Sequence, residues 1–323
     1  MRHPRSKPTH QPTAFHCISR TVGGLFLFDE LDRERFRSLM YKHARFCEMK
    51  IITHTILSNH FHILCRAPGP FRLSDSKLLA KLQAFYGPQS PQALEFQAAL
   101  HSPNQTRLPS LRRQYLARIG DLSVFMKELK QAFSRYYNAR HDRYGTLWAE
   151  RFSSAVVQDG IRGALVVAAY IDLNCVRAGL RDDPKQFRFC GYAEALARGG
   201  PAREGLRSLW PPGWSWEKGL AAYRKLLFGE AGKAHPGKKT LDPQVIKKVY
   251  EQGGKLSLVE LLRLRVRYFT DGVVIGSKEY VEEYFRRYYK KYVPKRKSGA
   301  RKMKGGDWGG LMSLRDLQKD VIG

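Results

Sequence analysis

The chain has 323 residues, with 57 Lys and Arg against 29 Asp and Glu, for a formal net charge of +28. That length supports one large or two ordinary domains, and that charge implies a polyanionic partner, with nucleic acid the natural one. Five scattered cysteines without a Cys-x-x-Cys argue against a disulfide framework or zinc. The lack of a long apolar run or of an apolar leader predicts a cytoplasmic, nucleoid-associated protein with no membrane partner.

Residues 1–13 are polar and basic and predict a loose arm. Phe15–Arg20 reads as a strand, and Asp32 as the cap of a helix reaching about Glu48. Lys50–Leu57 is rich in β-branched residues, Ser58-Asn59 is a turn, and His60–Cys65 returns as the second strand of a hairpin. Alternate residues of a strand point to one side, so His60 and His62 project together while Phe61 and Ile63 face the other way. Two imidazoles so placed can share a divalent ion and leave positions open for a third ligand and for substrate. For the pair alone, an incidental His-x-His is the plainer reading. His54 is a weaker candidate on the preceding strand, and His16 and the remaining histidines show no ligand spacing.

Residues 67–119 predict an insert with short helices over Leu78–Tyr86 and Pro91–His101. Its basic end (Arg107, Arg112, Arg113, Arg118) suits a DNA clamp, a cover for the site, or a solvated excursion. Asp121 caps a helix with a core stripe of Leu122, Phe125, Met126, Leu129, Phe133 and Tyr136, and Leu147–Val157 predicts a strand. Arg143 and Arg151 could hold phosphates or pair with Glu150 or Asp159.

Asp159 caps a helix expected to start at Gly160 and to stop at Gly179. Tyr170 and Asn174, four apart, lie one turn from each other on a face distinct from the apolar stripe. The order strand, helix, hairpin, helix, strand, helix predicts an α+β fold. It is ferredoxin-like or RRM-like, an antiparallel sheet with helices on one face, a central His strand and the Tyr helix close to it. The catalytic domain is placed at 14–198. Residues 199–240 read as a Gly/Pro/Trp-rich linker with one helix, Trp216–Phe228. Residues 241–323 read as an all-helical, basic DNA-binding module of helices Pro243–Glu251, Leu256–Tyr268 and Ser277–Tyr289, the last a reading helix, or as a plain appendage. The run 290–304, which includes Lys295, Arg296 and Lys297, is expected to order only on DNA.

Taken together, four stretches resemble the single-tyrosine HUH transposases, in particular the REP-associated tyrosine transposases. They are Phe15–Arg20, Ser58–Leu64 with its His-Phe-His, Asn138–Phe152, and Tyr170-Ile-Asp-Leu-Asn-Cys-Val-Arg-Ala-Gly-Leu180. Ser58 and Cys175 stand where the family has prolines. The resemblance implies Tyr170 as nucleophile and His60, His62 and Asn174 as ligands of Mg²⁺ or Mn²⁺. It also implies single-stranded DNA near a hairpin as substrate. Arg143, Arg151, Arg177, Lys295, Arg296 and Lys297 are candidate DNA contacts, and a homodimer is compatible. The implied chemistry is transesterification through a covalent 5′-phosphotyrosine, which keeps bond energy for strand transfer without ATP. The alternatives are a non-catalytic nucleic-acid-binding regulator, a replication or relaxase nickase of the same chemistry, and a hydrolytic zinc enzyme that does not need Tyr170.

Overall fold

The computed structural model describes residues 11–104, 106–160, 163–197, 199–229 and 256–317. The helix expected over Pro243–Glu251, and most of the N-terminal arm, lie outside the described residues.

Strand β1 (Thr13–Arg20) leads to helix α1 (Glu30–Phe46), then to the hairpin β2 (Lys50–Ile56) and β3 (His60–Ala67). The cap of α1 is Asp29, and Asp32, the residue expected there, closes a capping box from three positions inside. Helices α2 (Asp75–Tyr86), α3 (Pro91–His101) and α4 (Leu108–Leu116) form the insert, and Asp121 caps α5 (Leu122–Arg140) as expected. Strand β4 is Ser153–Val157. The strands lie in the order β2-β3-β1-β4, and every pair among them is antiparallel. This is the ferredoxin-like arrangement expected, with the His strand inside the sheet.

The α+β class stands, but helices cover both faces rather than one. On β3, Phe61 packs on Phe36 of α1 with ring centroids 4.6 Å apart. His62, on the opposite side of the strand, faces Tyr170 of helix α6 (Ala164–Asp172). The reason lies in β2 and β3, whose residues are buried on alternate positions of both faces, so each face needs a cover. Helix α6 is in turn buried from Val166 through Asp172. It is covered away from the sheet by Phe269, packed on Tyr170, and by Tyr223, bonded to Asp172.

Two polar ties fix the rotation of α6 on the sheet. Thr53 Oγ1 donates to Asp172 Oδ1 at 2.6 Å, and Thr55 Oγ1 donates to the Ile171 carbonyl at 2.7 Å. Burial pushes the Asp172 carboxyl up to about 6, against hydrogen bonds from Thr53, Tyr223 and Cys190. The short helix α7 (Asn174–Arg177) continues the chain, and α8 (Gly191–Ala197) follows.

The segment expected as a linker is packed where it is described. In α9 (Pro201–Arg207), Gly205 lies so close to β2 that a Cβ would sit 2.1 Å from the Ile51 carbonyl oxygen. From α10 (Trp216–Phe228), the Tyr223 hydroxyl donates to Asp172 Oδ2 at 2.5 Å.

The C-terminal residues are also not an all-helical module. After α11 (Leu258–Leu262) and α12 (Tyr268–Asp271), the β-branched Val274 and Ile275 form β5 (Val274–Gly276), which adds to β4 in parallel. Two further short strands, β6 (Arg301–Lys302) and β7 (Met312–Ser313), extend the sheet beyond β5. The expected reading helix is α13 (Lys278–Tyr284), capped by Ser277 and continued by one π turn over Phe285–Tyr289. Within the basic run 290–304, Arg296 donates to the Gly299 and Leu314 carbonyls at 2.6 and 2.7 Å.

The insert packs on the α1 side, with Phe46 against Phe85 and Arg118 over Phe46. Arg107, Arg112 and Arg118 are paired with Glu95, Asp75 and Glu128. The insert therefore stands across the sheet from α6 and does not cover it. Among the described residues no helix is long and apolar enough to cross a membrane.

If Asp172 anchors α6, removing one of its donors leaves a buried carboxylate oxygen short of a partner. Tyr223→Phe and Thr53→Val are each expected to cost about 1–3 kcal/mol in urea unfolding. Wild-type stability in both variants would show that α6 is held otherwise.

Candidate active site

The helix carrying Tyr170 starts at Ala164, a turn later than expected. Asp159, the expected cap, pairs with Arg66 instead. Tyr170 and Asn174 nevertheless keep their one-turn spacing across the α6–α7 junction, and both face β3.

The structure brings the four main candidates together. The His60 and His62 ring centroids lie 5.2 Å apart, and His62 and Tyr170 lie 6.1 Å apart in an edge arrangement. Asn174 Nδ2 donates to His60 Nε2 at 3.1 Å. Tyr170 (3 % exposed), His62 (4 %) and Asn174 (8 %) are buried, and His60 is half-buried.

The tautomer of His60 follows from its neighbours. Asn59 Nδ2 donates to the Gly24 carbonyl, so its Oδ1 faces the ring and accepts from His60 Nδ1 at 2.6 Å. His60 Nε2 is therefore an unprotonated lone pair. Burial holds the His60 imidazole down at about 4, helped by Arg20, Arg177 and Arg265. Burial, with His16, His60, Arg177 and Arg20 nearby, holds His62 well below its usual range. Both rings are thus neutral, the form a metal ion requires.

Two neutral imidazoles and a carboxamide fit a divalent cation, with one adjustment. As found, Asn174 turns its NH₂ toward His60, while its Oδ1 accepts from Arg177 at 3.3 Å. A half-turn of the amide would present the oxygen. His54 does not join the site. It is buried on the other face of the sheet, against Tyr41 and near Glu194. Among the described residues the cluster of acidic and His donors that could hold a metal is Asp29, Asp32 and His141. Arg140 already pairs with both of its carboxylates, at 2.8 and 2.7 Å.

Arg177 is half-buried against the site. Its guanidinium lies 3.9 Å over the Tyr170 ring and donates to the carbonyls of Tyr170 and Leu262 at 2.7 and 2.8 Å. Arg151 is exposed beside Lys127 and Arg135 in a groove along α5, and Arg143 is half-buried. Lys295 and Lys297 are exposed, whereas Arg296 is committed to backbone carbonyls.

Four groups at the site escaped the sequence reading. His16 Nε2 lies 2.9 Å from His62 Nδ1, with the two rings near coplanar and their centroids 5.1 Å apart. Alternation along β1 puts His16 and Ile18 on one side, and Ile18 is the register partner of His62, so the β1–β3 register brings His16 to His62. Phe269 packs its ring 4.8 Å from Tyr170 and offers its carbonyl to His16 Nδ1 at 2.8 Å. Arg265 is exposed near His60, as is Arg20. Neither Phe269 nor Arg265 carries any sequence signal.

No family model and no curated protein matches the chain. Among solved structures, a REP-associated tyrosine transposase bound to a REP hairpin is similar at 14 % identity and a TM-score of 0.39. The match covers 67 % of this chain and 92 % of that one. A likeness of that size carries no weight on activity or ligand.

The buried imidazoles make stability depend on pH. His16 and His60 are lowered from 6.5 to about 4, His54 to about 3, and His62 well below 6.5, each chiefly by burial. In the unfolded chain these groups take up protons below about 6.5, and in the folded chain they do not. Stability is therefore present above 6.5 and lost as pH falls toward 4. Asp172, raised from 3.8 to about 6, acts in the opposite direction but is one group against four. The urea midpoint is expected to fall steadily from pH 7 to pH 5. A flat profile would contradict the buried neutral rings.

Proposed function

We propose that the protein is a metal-dependent single-stranded DNA endonuclease and strand transferase, a transposase with Tyr170 as nucleophile. The observation that carries this is the convergence of Tyr170, His60, His62 and Asn174, from two distant stretches of chain, at one site. The sequence resemblance to REP-associated tyrosine transposases and the net charge of +28 support it.

His60, His62 and, after its amide turns, Asn174 would hold Mg²⁺ or Mn²⁺. The ion would supply charge neutralisation at a non-bridging phosphate oxygen, which lowers the barrier to attack by an oxygen nucleophile. Tyr170 supplies that nucleophile. Its oxygen forms the bond to phosphorus as the bond to the 3′ oxygen breaks. The proton lost by the phenol balances the one gained by the leaving 3′-OH. The 5′ side stays on the protein as phosphotyrosine, and a second 3′-OH can reverse the step onto a new strand. Arg177, 3.9 Å over the ring, places a cation beside the attacking group and holds the ring in place. Arg20 and Arg265, exposed near His60, suit the flanking phosphates, with Arg143, Arg151, Lys295 and Lys297 as further contacts.

One observation favours a second reading, a nucleic-acid-binding regulator without chemistry: Tyr170 is 3 % exposed, so the phenol must be uncovered to meet DNA. The two readings part in one experiment. Labelled single-stranded hairpin DNA with Mn²⁺ is expected to yield a covalent adduct that maps to Tyr170, and Tyr170→Phe is expected to lose it entirely. DNA binding without an adduct would favour the regulator. Cleavage that survives Tyr170→Phe would favour a hydrolytic metal enzyme.

A further inference from the structure

His16 stands between two partners that constrain it from opposite sides. Its Nδ1 lies 2.8 Å from the Phe269 carbonyl oxygen, and its Nε2 lies 2.9 Å from His62 Nδ1. A carbonyl only accepts, so His16 Nδ1 carries a proton. One proton then sits between the two rings. If it belonged to His16, that ring would be a fully buried imidazolium with no carboxylate among its hydrogen-bond partners in the described residues. The proton therefore belongs to His62 Nδ1, and His16 Nε2 accepts it.

We propose that His16 is a positioning residue that carries the acceptor of the Phe269 carbonyl across to His62. It fixes His62 as the Nδ1–H tautomer and leaves His62 Nε2 as a bare lone pair for a cation. The other tautomer would put a proton on Nε2 and block it. His60 is set the same way by Asn59, so both rings of the pair are fixed through their Nδ1 atoms by different devices. Partners of this kind orient a ligating imidazole and raise its basicity, and their loss typically weakens metal binding by about 10–100-fold. Phe269 lies in the C-terminal segment and His16 in the first strand. The far end of the chain thus sets the state of a ring in the middle of the sheet. The consequence for metal binding rests on the proposed role of His62 as a ligand, whereas the tautomer assignment does not.

Long-range ¹H–¹⁵N correlation spectra of the metal-free, ¹⁵N-histidine-labelled full chain read each ring directly. In the wild type His60 and His62 are both expected as Nδ1–H with bare Nε2. His16→Phe keeps an aromatic ring at the position and removes the acceptor. In that variant His62 is expected to move to the Nε2–H form while His60, the internal control, stays unchanged. His16→Gln, whose carbonyl oxygen can still accept, is expected to retain the wild-type tautomer. Mn²⁺ titration should follow the same order, with His16→Phe weakened about 10–100-fold and His16→Gln near wild type. A wild-type His62 protonated on Nε2 overturns the proposal even if His16→Phe does not fold. So does a His62 tautomer unchanged in a folded His16→Phe. A His62 fixed as Nδ1–H in protein that takes up no Mn²⁺ supports the role of His16 and removes the ligand reading of His62.

Discussion

A cluster of imidazoles, a phenol and a carboxamide lies buried between a β-sheet and a helix that is itself largely buried. Such a cluster is stable only if its rings stay neutral and its N–H groups find acceptors. His60 meets this through Asn59, and His16 through the Phe269 carbonyl. The same neutrality is what a divalent cation would demand of its ligands. Packing and chemistry therefore ask for one state of the same groups. Arg177, a formal cation in contact with the cluster, is held by two carbonyls and the Tyr170 ring face.

The position of Tyr170 depends on Asp172, two residues further along α6. Thr53 and Tyr223 hold that carboxylate from β2 and from α10, so the segment after residue 199 anchors the helix rather than linking domains. The C-terminal segment has a comparable part. It adds β5 to the edge of β4 and gives two backbone carbonyls, of Leu262 and Phe269, to the site. The site is thus assembled from β1, β3, α6, α7 and the C-terminal segment, and its lid over Tyr170 is Phe269.

Short-range periodicity made much of this legible in advance. Period two on a strand placed His60 beside His62, and the helical turn placed Asn174 beside Tyr170. The order of elements gave the β2-β3-β1-β4 sheet. What stayed hidden depends on distant neighbours. His16 matters because β1 pairs with β3, and spacing along the chain says nothing of that. Phe269 acts through a backbone carbonyl, which has no residue identity. β5 is three residues long, too short for alternation to show. The covering of both sheet faces was missed because β2, Lys-Ile-Ile-Thr-His-Thr-Ile, shows no clean alternation of apolar and polar positions, so no polar face marked a solvent side. The docking of α9 turns on Gly205, whose missing Cβ reads in a sequence as flexibility rather than as close contact.

The central claim is that His60 and His62 together offer two bare ring nitrogens to one divalent cation beside Tyr170. Electron spin-echo spectroscopy of the Mn²⁺-loaded, ¹⁵N-histidine-labelled chain tests it most directly. The account predicts couplings from two histidine nitrogens, with one lost in His60→Ala and the other in His62→Ala. An ion that shows no histidine nitrogen, or whose nitrogen coupling survives both substitutions and disappears with His141→Ala, would contradict it.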